Sequence, residues 1–555
     1  MEVVVIRNTA GSKFKYFSVV FSFLFFALTV SSPAWGQSTN ATLTGTVTDP
    51  SGAAVAGAKL TLTNSATKLS LNFVSGENGE YSFRSLDPGT YELKVAKNGF
   101  VTSLQKDIIL TINASVRIDA AMKIGQQTQT VEVIGDTSLI NYDNGTVQGG
   151  IEPETLKSLP LAVSNGAQRS SAGLAALLPG VTTGSSGEAF NSRINGGVQT
   201  GDEALLDGAT MSEGFMNQSG MVSIQGDFQF SPDMISELKV LASSYEAQYG
   251  STTSGQIVVV SKSGGNSFHG AAYEYLRNSG FNAKQWGSPK RSFDQENDYG
   301  ANIGGPVKLP GFHGSRNKAF FYFNWEHYKQ NGGATQPTLS IPSLKERAGD
   351  FTDWPNPIYN PRTGQQFSCN GVLNVICPNL EDPIAKAWLA QLPNPTNSNA
   401  TNNYLVPHAV PGTLLTGTNV YFWRVDDNWG NNDHFYYTYY RQYAIANVAS
   451  TLPNTISSST PTDLQNAPIQ RFNWEHIFST VMTNHLTFGY LNRNEDYYSL
   501  NAGSQLPGVP GVADASALPQ FGINGFAQLG NSTGAPGHNK TTRPTWVIND
   551  LASRV

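Results

Sequence analysis

Across 555 residues, charged side chains make up only 14% of the chain, aromatics reach 11%, and the formal net charge is -6. Soluble domains usually carry about 25% charge, and a negative balance excludes nucleic acid as an electrostatically recruited partner.

The first 36 residues read as a secretory signal. Arg7, Lys13 and Lys15 form a positive start, residues 17–30 an apolar core, and Ala34 and Gly36 a small-x-small cleavage site before Gln37. The apolar run is short for a span of about 20 residues. No later stretch approaches 18 uninterrupted apolar residues, so any membrane crossing must be made by strands.

Residues 37–124 are expected to form a small β-sandwich. Residues 42–48 alternate and end in the Asp49-Pro-Ser-Gly52 turn, and residues 55–63 form a second strand. Turns at 76–79 and 86–89 precede Tyr81-Ser-Phe83 and Tyr91-Glu-Leu-Lys-Val95. Tyr81 with Phe83, and Tyr91 with Leu93 and Val95, are candidate core residues. The pieces Gly45-Thr-Val-Thr-Asp49, Gly79-Glu-Tyr-Ser-Phe83 and Leu86-Asp-Pro-Gly-Thr-Tyr91 resemble the carboxypeptidase regulatory-like domain, a name that does not imply peptidase activity. No zinc-ligand spacing occurs within it, and no catalytic, cofactor or metal residue is assigned anywhere in the chain.

Thr130, Val131, Glu132, Val133 and Ile134 form a short extended candidate between the sandwich and the next module. Residues 125–262 then alternate short apolar pieces with Gly/Ser/Asn loops. Within them, residues 174–181 read as a turn after a helix, and residues 231–240 as a capped helix turn leading into a strand. Asp207 reads as an Asp-Gly turn residue rather than a catalytic or metal carboxylate. Ile257–Val260 is a β-branched run suited to a strand buried on both faces.

From Phe268 the pattern changes to alternation. Ala271, Tyr273 and Tyr275 fall on one face, with Ala272, Glu274 and Leu276 on the other. Phe321, Phe323 and Trp325 oppose Tyr322, Asn324 and Glu326. Phe472, Trp474, His476 and Phe478 share a face, as do Leu486, Phe488 and Tyr490. Residues 434–441 are aromatic on both faces, as expected where an aromatic girdle meets the bilayer. Alternation of this kind is what a membrane barrel wall requires, because only closure satisfies edge hydrogen bonds in lipid. Polar connectors separate these strands, and residues 331–418 are expected mostly outside the cell. Cys369 and Cys377 lie there in one short Gly/Asn-containing loop, and an even pair in an exported chain favours a local disulfide.

The junction from Gly255 to Ala283 resembles the plug-to-barrel junction of TonB-dependent outer-membrane receptors, most closely their Oar-like branch. Leu174-Ala-Ala-Leu-Leu-Pro-Gly-Val181, Arg193-Ile-Asn-Gly-Gly197, Glu203-Ala-Leu-Leu-Asp-Gly208, residues 243–258, Gly304-Gly-Pro-Val307, Arg347-Ala-Gly-Asp-Phe351 and Ile358-Tyr-Asn-Pro-Arg-Thr-Gly364 extend the likeness. The resemblance implies a mainly β chain with an N-terminal sandwich (37–124), an α+β plug (125–262) and a transmembrane antiparallel barrel (263–555). It implies an outer-membrane receptor whose N-terminal domain is periplasmic. Its partners would be outer-membrane lipid, an unidentified extracellular substrate and a TonB-type inner-membrane energy-coupling protein. Thr130 to Ile134 resembles a TonB box, through which that partner would add a strand; closing the sandwich or opening the plug are the alternative roles.

The 293 residues from 263 to 555 are few for a plugged barrel of about 22 strands at roughly 10 residues per strand, so the barrel is expected to be incomplete and its sheet partly open. Two other classes remain in view. An exported surface adhesion or carbohydrate-binding β-protein would explain the sandwich but not the junction. An exported hydrolase finds no His-x-x-Glu, and its one Gly-x-Ser-x-Gly, residues 530–534 around Ser532, is followed at once by Ala535-Pro-Gly537, which blocks the helix a nucleophile elbow needs.

Overall fold

The computed structural model describes residues 39–125, 130–134, 147–151, 155, 169, 171–182, 193–198, 201–213, 218–219, 230–245, 249–250, 252–284, 291, 294–308, 319–332, 337–407, 417–430, 432–446, 451–453, 457–458, 462–479, 482–498, 522–531 and 538–554. The signal segment, the linker at 126–129 and Ser532 lie outside these.

In the N-terminal module, period-2 alternation buries one face of each strand. Along Ala41–Thr48 every second residue is buried, and Gly89–Ala96 buries Tyr91, Leu93 and Val95. Two sheets result. One orders Glu80–Leu86, Ala41–Thr48 and Ser115–Arg117; the other orders Ser70–Val74, Lys59–Asn64, Gly89–Ala96, Thr102–Leu110 and Thr130–Ile134. Tyr81, Phe83, Leu60, Leu62, Ile108 and Leu110 join the core between them.

The second module is a mixed five-stranded sheet. Gln256–Ser261 is buried at every position. It is flanked by Ile235–Ser243, antiparallel, and Glu203–Leu206, parallel. A strand with neighbours on both edges and packing on both faces has no polar side, which is why its centre, Ile257–Val260, is an unbroken β-branched run. Ser231–Met234 is a turn, not the helix turn expected from sequence: the Ser231 hydroxyl accepts from Asp233 N at 3.1 Å, and the chain is extended from Ile235. Ser and Asp cap turns as readily as helices.

Eight long antiparallel strands build the third module, in the sequence order His269–Asn278, Asp294–Pro306, Ala319–Gly332, Gly417–Trp429, Asp433–Ala446, Thr462–Ser479, Met482–Tyr498 and His538–Arg554. The first and last are the two edges of this open sheet. Tyr273 on the first strand and Asn549 on the last both reach the central module, through Arg169 and the Gly208 carbonyl respectively. The wall therefore curves around the central sheet. Tyr322, Val420, Phe422, Tyr440, Ala467, Ile469 and Leu491 of the wall share one apolar core with Leu206, Phe230, Leu238 and Val259 of the central module.

The inward and outward faces follow the sequence pattern. Phe323, Phe472 and Phe488 are exposed, whereas Tyr322, Asn324, Glu326, Arg471, Asn473 and Glu475 are buried. The doubly aromatic stretch 434–441 has a different cause from a girdle: Tyr436 and Tyr440 point inward, under Arg424 and against Phe230, while Tyr437 and Tyr439 flank Trp423 outside. Two hairpins turn at one end of the wall, where Trp429 pairs with Asp433 and Ser479 with Met482; the described parts of the long connections, residues 337–407 and 522–531, follow strands that end at the other.

Charge placed on the outward face should be penalised by lipid. Phe323→Arg is expected to lower the refolding stability of the wall in bilayers by roughly 2–4 kcal/mol, and Phe323→Leu by much less, read from urea titrations in phospholipid vesicles.

Candidate functional site

The chemistry of this molecule is concentrated where the central module meets the inner face of the wall. Arg169 is 4% exposed at its side chain and faces three carboxylates: Asp233 at 3.1 Å, Asp298 at 3.2 Å and Glu326 at 3.4 Å. The first belongs to the central module, the other two to adjacent wall strands. Tyr273 donates to Glu326 at 2.8 Å, and the guanidinium lies 3.9 Å from the centre of the Tyr275 ring. Burial disfavours the charge on Arg169, but Glu326, Asp298 and Asp233 outweigh it and hold its pKa above the ordinary value.

A second lock lies on Gly417–Trp429. Arg424 and Asp426 are two residues apart, so both point inward, and Arg424 Nη2 donates to Asp426 Oδ1 at 2.7 Å. Arg424 also donates to the Ser261 hydroxyl at 3.1 Å and lies 3.9 Å from Asp207. Asp207 is an Asp-Gly turn residue, as its sequence suggests, with φ +49° followed by Gly208 at +77°. It is also a buried anion: its carboxylate accepts from Ser261 N and Oγ, both at 2.9 Å. Burial raises its pKa above the usual carboxylate range, against the pull of Arg424 and Ser261.

The third lock is Arg471, fully buried, whose Nη2 donates to the Thr210 carbonyl at 2.6 Å. Room for it comes from Gly489 on the neighbouring strand: a Cβ there would stand 2.6 Å from Arg471 Nη1.

The sandwich is seated on the same assembly. Ile112 N donates to Glu237 at 2.7 Å, Lys239 donates to the Ile112 carbonyl, and Asn40 donates to Glu475 of the wall at 2.9 Å. Burial lowers the Lys239 pKa, partly offset by Glu237. A cavity of about 650 Å³ lies where sandwich, central sheet and wall meet, lined by Asp87, Tyr91, Lys262, Arg424, His434 and Glu475 among others.

Thr130–Ile134 runs parallel to Thr102–Leu110, in register from Thr102 opposite Thr130 to Lys106 opposite Ile134. It is the last strand of its sheet. One of its edges is thus used by the sandwich, and the other terminates the sheet. Cys369 and Cys377 are bonded to each other in the long 333–416 connection. That connection has its own small core, in which Ile341, Trp388, Leu392, Tyr404 and Val406 pack with Leu452 of a second connection and Leu529 of a third.

Sequence reasoning found the short strand and the cysteine pair but not the locks. Their members lie up to 261 positions apart, as with Arg471 and Thr210. The available signal was charge at inward register positions of aromatic strands: Asp298, Glu326, Arg424, Asp426, Arg471 and Glu475.

Residues 260–554 match the family described as outer membrane beta barrel domain, and residues 42–123 the carboxypeptidase regulatory-like domain. A similar curated protein is the TonB-dependent transporter Oar of Myxococcus xanthus, 26% identical over 293 residues, which cover 50% of this chain and 26% of that protein. Similar solved structures include the outer membrane transporter YddB from Escherichia coli (10% identity, TM-score 0.42, 73% of this chain and 45% of that one) and the alcaligin outer membrane receptor FauA from Bordetella pertussis (8% identity, TM-score 0.34, 74% and 48%). The chain spans about a quarter of the length of the curated relative and just under half the length of these structures.

Two expectations follow from the site. Removing one member of a buried pair leaves the other charge uncompensated, so Arg424→Ala should destabilise the folded protein by about 3–5 kcal/mol; Arg441→Ala, on the outer face, should cost under about 1 kcal/mol. Denaturant midpoints in detergent would separate them. Asp202, buried beside Glu203–Leu206, has its pKa pushed up to about 6 by burial. An unfolded Asp titrates near 3.9, so the folded state binds more protons between those values and loses stability as pH rises through that window. Asp202→Asn should remove this loss: its advantage over the parent protein should grow from about pH 4 to 6 and then level off, whereas a pH-independent difference would contradict the assignment.

Proposed function

The chain belongs to the outer membrane beta barrel domain family, and from that membership we propose that it acts in a TonB-dependent outer-membrane receptor that binds and imports an unidentified substrate. The protein resides in the outer membrane. The central sheet serves as the plug, in the lumen of the wall; the sandwich faces the periplasm; and the packed long connections carry the substrate surface. The observation that carries this reading is the seating of a small sheet against the wall's inner face through buried charges. Locks of that kind fix where a plug sits, while the apolar contacts around them supply the adhesion. The sidedness is supported by the usual arrangement of short periplasmic turns and long outer loops, because the sandwich packs at the short-turn end.

Energy coupling is assigned to Thr130–Ile134. An edge strand offers unpaired N–H and C=O groups, and an incoming strand gains main-chain hydrogen bonds with modest sequence demands. No cofactor or catalytic group is invoked. The similar curated protein is a transporter by name, and transport here consists of plug displacement.

Proline at Val131 or Val133 removes a backbone donor. Both variants are expected to fold, with the heat-modifiable migration of the parent protein, and to lose capture by a purified TonB periplasmic domain. Capture unchanged in both would move the coupling site elsewhere, and failure of the parent protein to bind TonB at all would refute the receptor reading.

A further inference from the structure

We propose that Asp87, His434 and Glu475 form a divalent transition-metal site of the zinc class, which staples the sandwich to the rim of the wall. The three residues come from different elements. Asp87 lies in the Leu86–Gly89 turn of the sandwich, where Tyr91 donates to its carbonyl at 2.8 Å. His434 and Glu475 lie on the neighbouring strands Asp433–Ala446 and Thr462–Ser479, directly paired in register. Their donor atoms all lie within 4.8 Å of one another.

The separations identify the kind of contact. His434 Nδ1 is 3.6 Å from Asp87 Oδ2 and 3.5 Å from Glu475 Oε2. Hydrogen bonds of this type are about 2.7–3.2 Å long, so neither is a good one. Donors about 2.0–2.2 Å from a tetrahedral Zn²⁺ lie roughly 3.3–3.6 Å apart, which is the spacing of His434 Nδ1 from each of the two carboxylates. One nitrogen and two oxygens leave a fourth position for water, and the three residues line a cavity of about 650 Å³ with room for it.

The surroundings fit ligation independently of these distances. His434 Nε2 is 3.3 Å from Asp426 Oδ1, and Asp426 is itself clamped by Arg424. A carboxylate behind the remote ring nitrogen fixes the tautomer that leaves Nδ1 as a lone-pair donor, the arrangement common to metal-bound histidines. Glu475 Oε1 is occupied by Asn40 at 2.9 Å, which orients Oε2 toward Nδ1. The alternative is a bare ion-pair cluster around a protonated imidazole, and the two readings predict opposite responses to substitution.

The test uses the tag-free full chain in detergent, stripped with EDTA and titrated with Zn²⁺ by calorimetry, with Mg²⁺ and Ca²⁺ as comparison ions. One equivalent of Zn²⁺ should bind, with Mg²⁺ and Ca²⁺ much weaker, and X-ray absorption should show a nitrogen/oxygen shell at about 2.0–2.1 Å. Asp87→Asn, on the sandwich turn away from the wall's core, should weaken Zn²⁺ at least tenfold. Asp87→His should restore binding, because imidazole is a zinc ligand, whereas a protonated His434 would repel it. No Zn²⁺ binding by the parent protein, equal affinity in Asp87→Asn, or failure of Asp87→His to exceed Asp87→Asn would each overturn the proposal.

Discussion

A backbone N–H inside hydrocarbon has no water to turn to, and each one left unpaired costs several kcal/mol. That constraint fixes the wall first: strands of 10 to 18 residues, hydrogen-bonded to neighbours along nearly their whole length. It then fixes the sequence, because a strand in such a wall shows one face to lipid and one to the interior. The exposed Phe323, Phe472 and Phe488 and the buried Asn324, Asn473 and Thr487 are two sides of the same ladder. Many of the wall's charged and amide side chains, Asp298, Glu326, Arg424, Asp426, Arg471 and Glu475 among them, point inward, and something inside must satisfy them.

The central sheet meets that requirement. It presents Asp207 and Ser261 to Arg424 of the wall and the Thr210 carbonyl to Arg471. Arg169, from the central module, meets two wall carboxylates; Arg424 and Arg471, from the wall, meet acceptors of the central sheet. Charge is thus exchanged in both directions across the interface. Buried pairs of this sort add little net stability compared with apolar packing, but breaking one is expensive. They therefore specify where the sheet sits more than how tightly the protein folds. The apolar contacts among Tyr440, Phe230, Ile469 and Leu238 supply the adhesion.

This division explains what the sequence disclosed. Local constraints were legible: the alternation of Gly89–Ala96, the unbroken Ile257–Val260 run, the Asp207-Gly208 turn and the facing of Phe321, Phe323 and Trp325 each follow from a periodicity of two or from turn chemistry. Ser231–Met234 was misread because Ser and Asp satisfy a backbone N–H in a turn as well as at a helix start. The strand Thr130–Ile134 was visible and closing the sandwich was among its expected roles, but the partner strand was not: parallel pairing with Thr102–Leu110 carries no local register signal. Tyr436 and Tyr440 looked like girdle residues because aromatic side chains serve lipid and core equally. The locks were illegible for a plainer reason. Arginine at an inward position states a need for an anion, and only the fold decides which one answers.

The same logic bears on how the modules communicate. The sandwich touches the central sheet through Glu237 and Lys239, and the wall through Glu475. Glu237 and Lys239 lie on Ile235–Ser243, which is hydrogen-bonded along Gln256–Ser261. Ser261, at the end of that strand, binds both Asp207 and Arg424. One strand ladder, Ile235–Ser243 on Gln256–Ser261, thus separates the Ile112 contact of the sandwich from the Arg424 lock. Arg424 is joined in turn to Asp426, and Asp426 to His434 at the sandwich contact. The path closes on itself: the residues that seat the central sheet and those that seat the sandwich share Asp426. Displacing either module alters the electrostatics that hold the other, because a buried carboxylate that loses one partner must find compensation from those that remain.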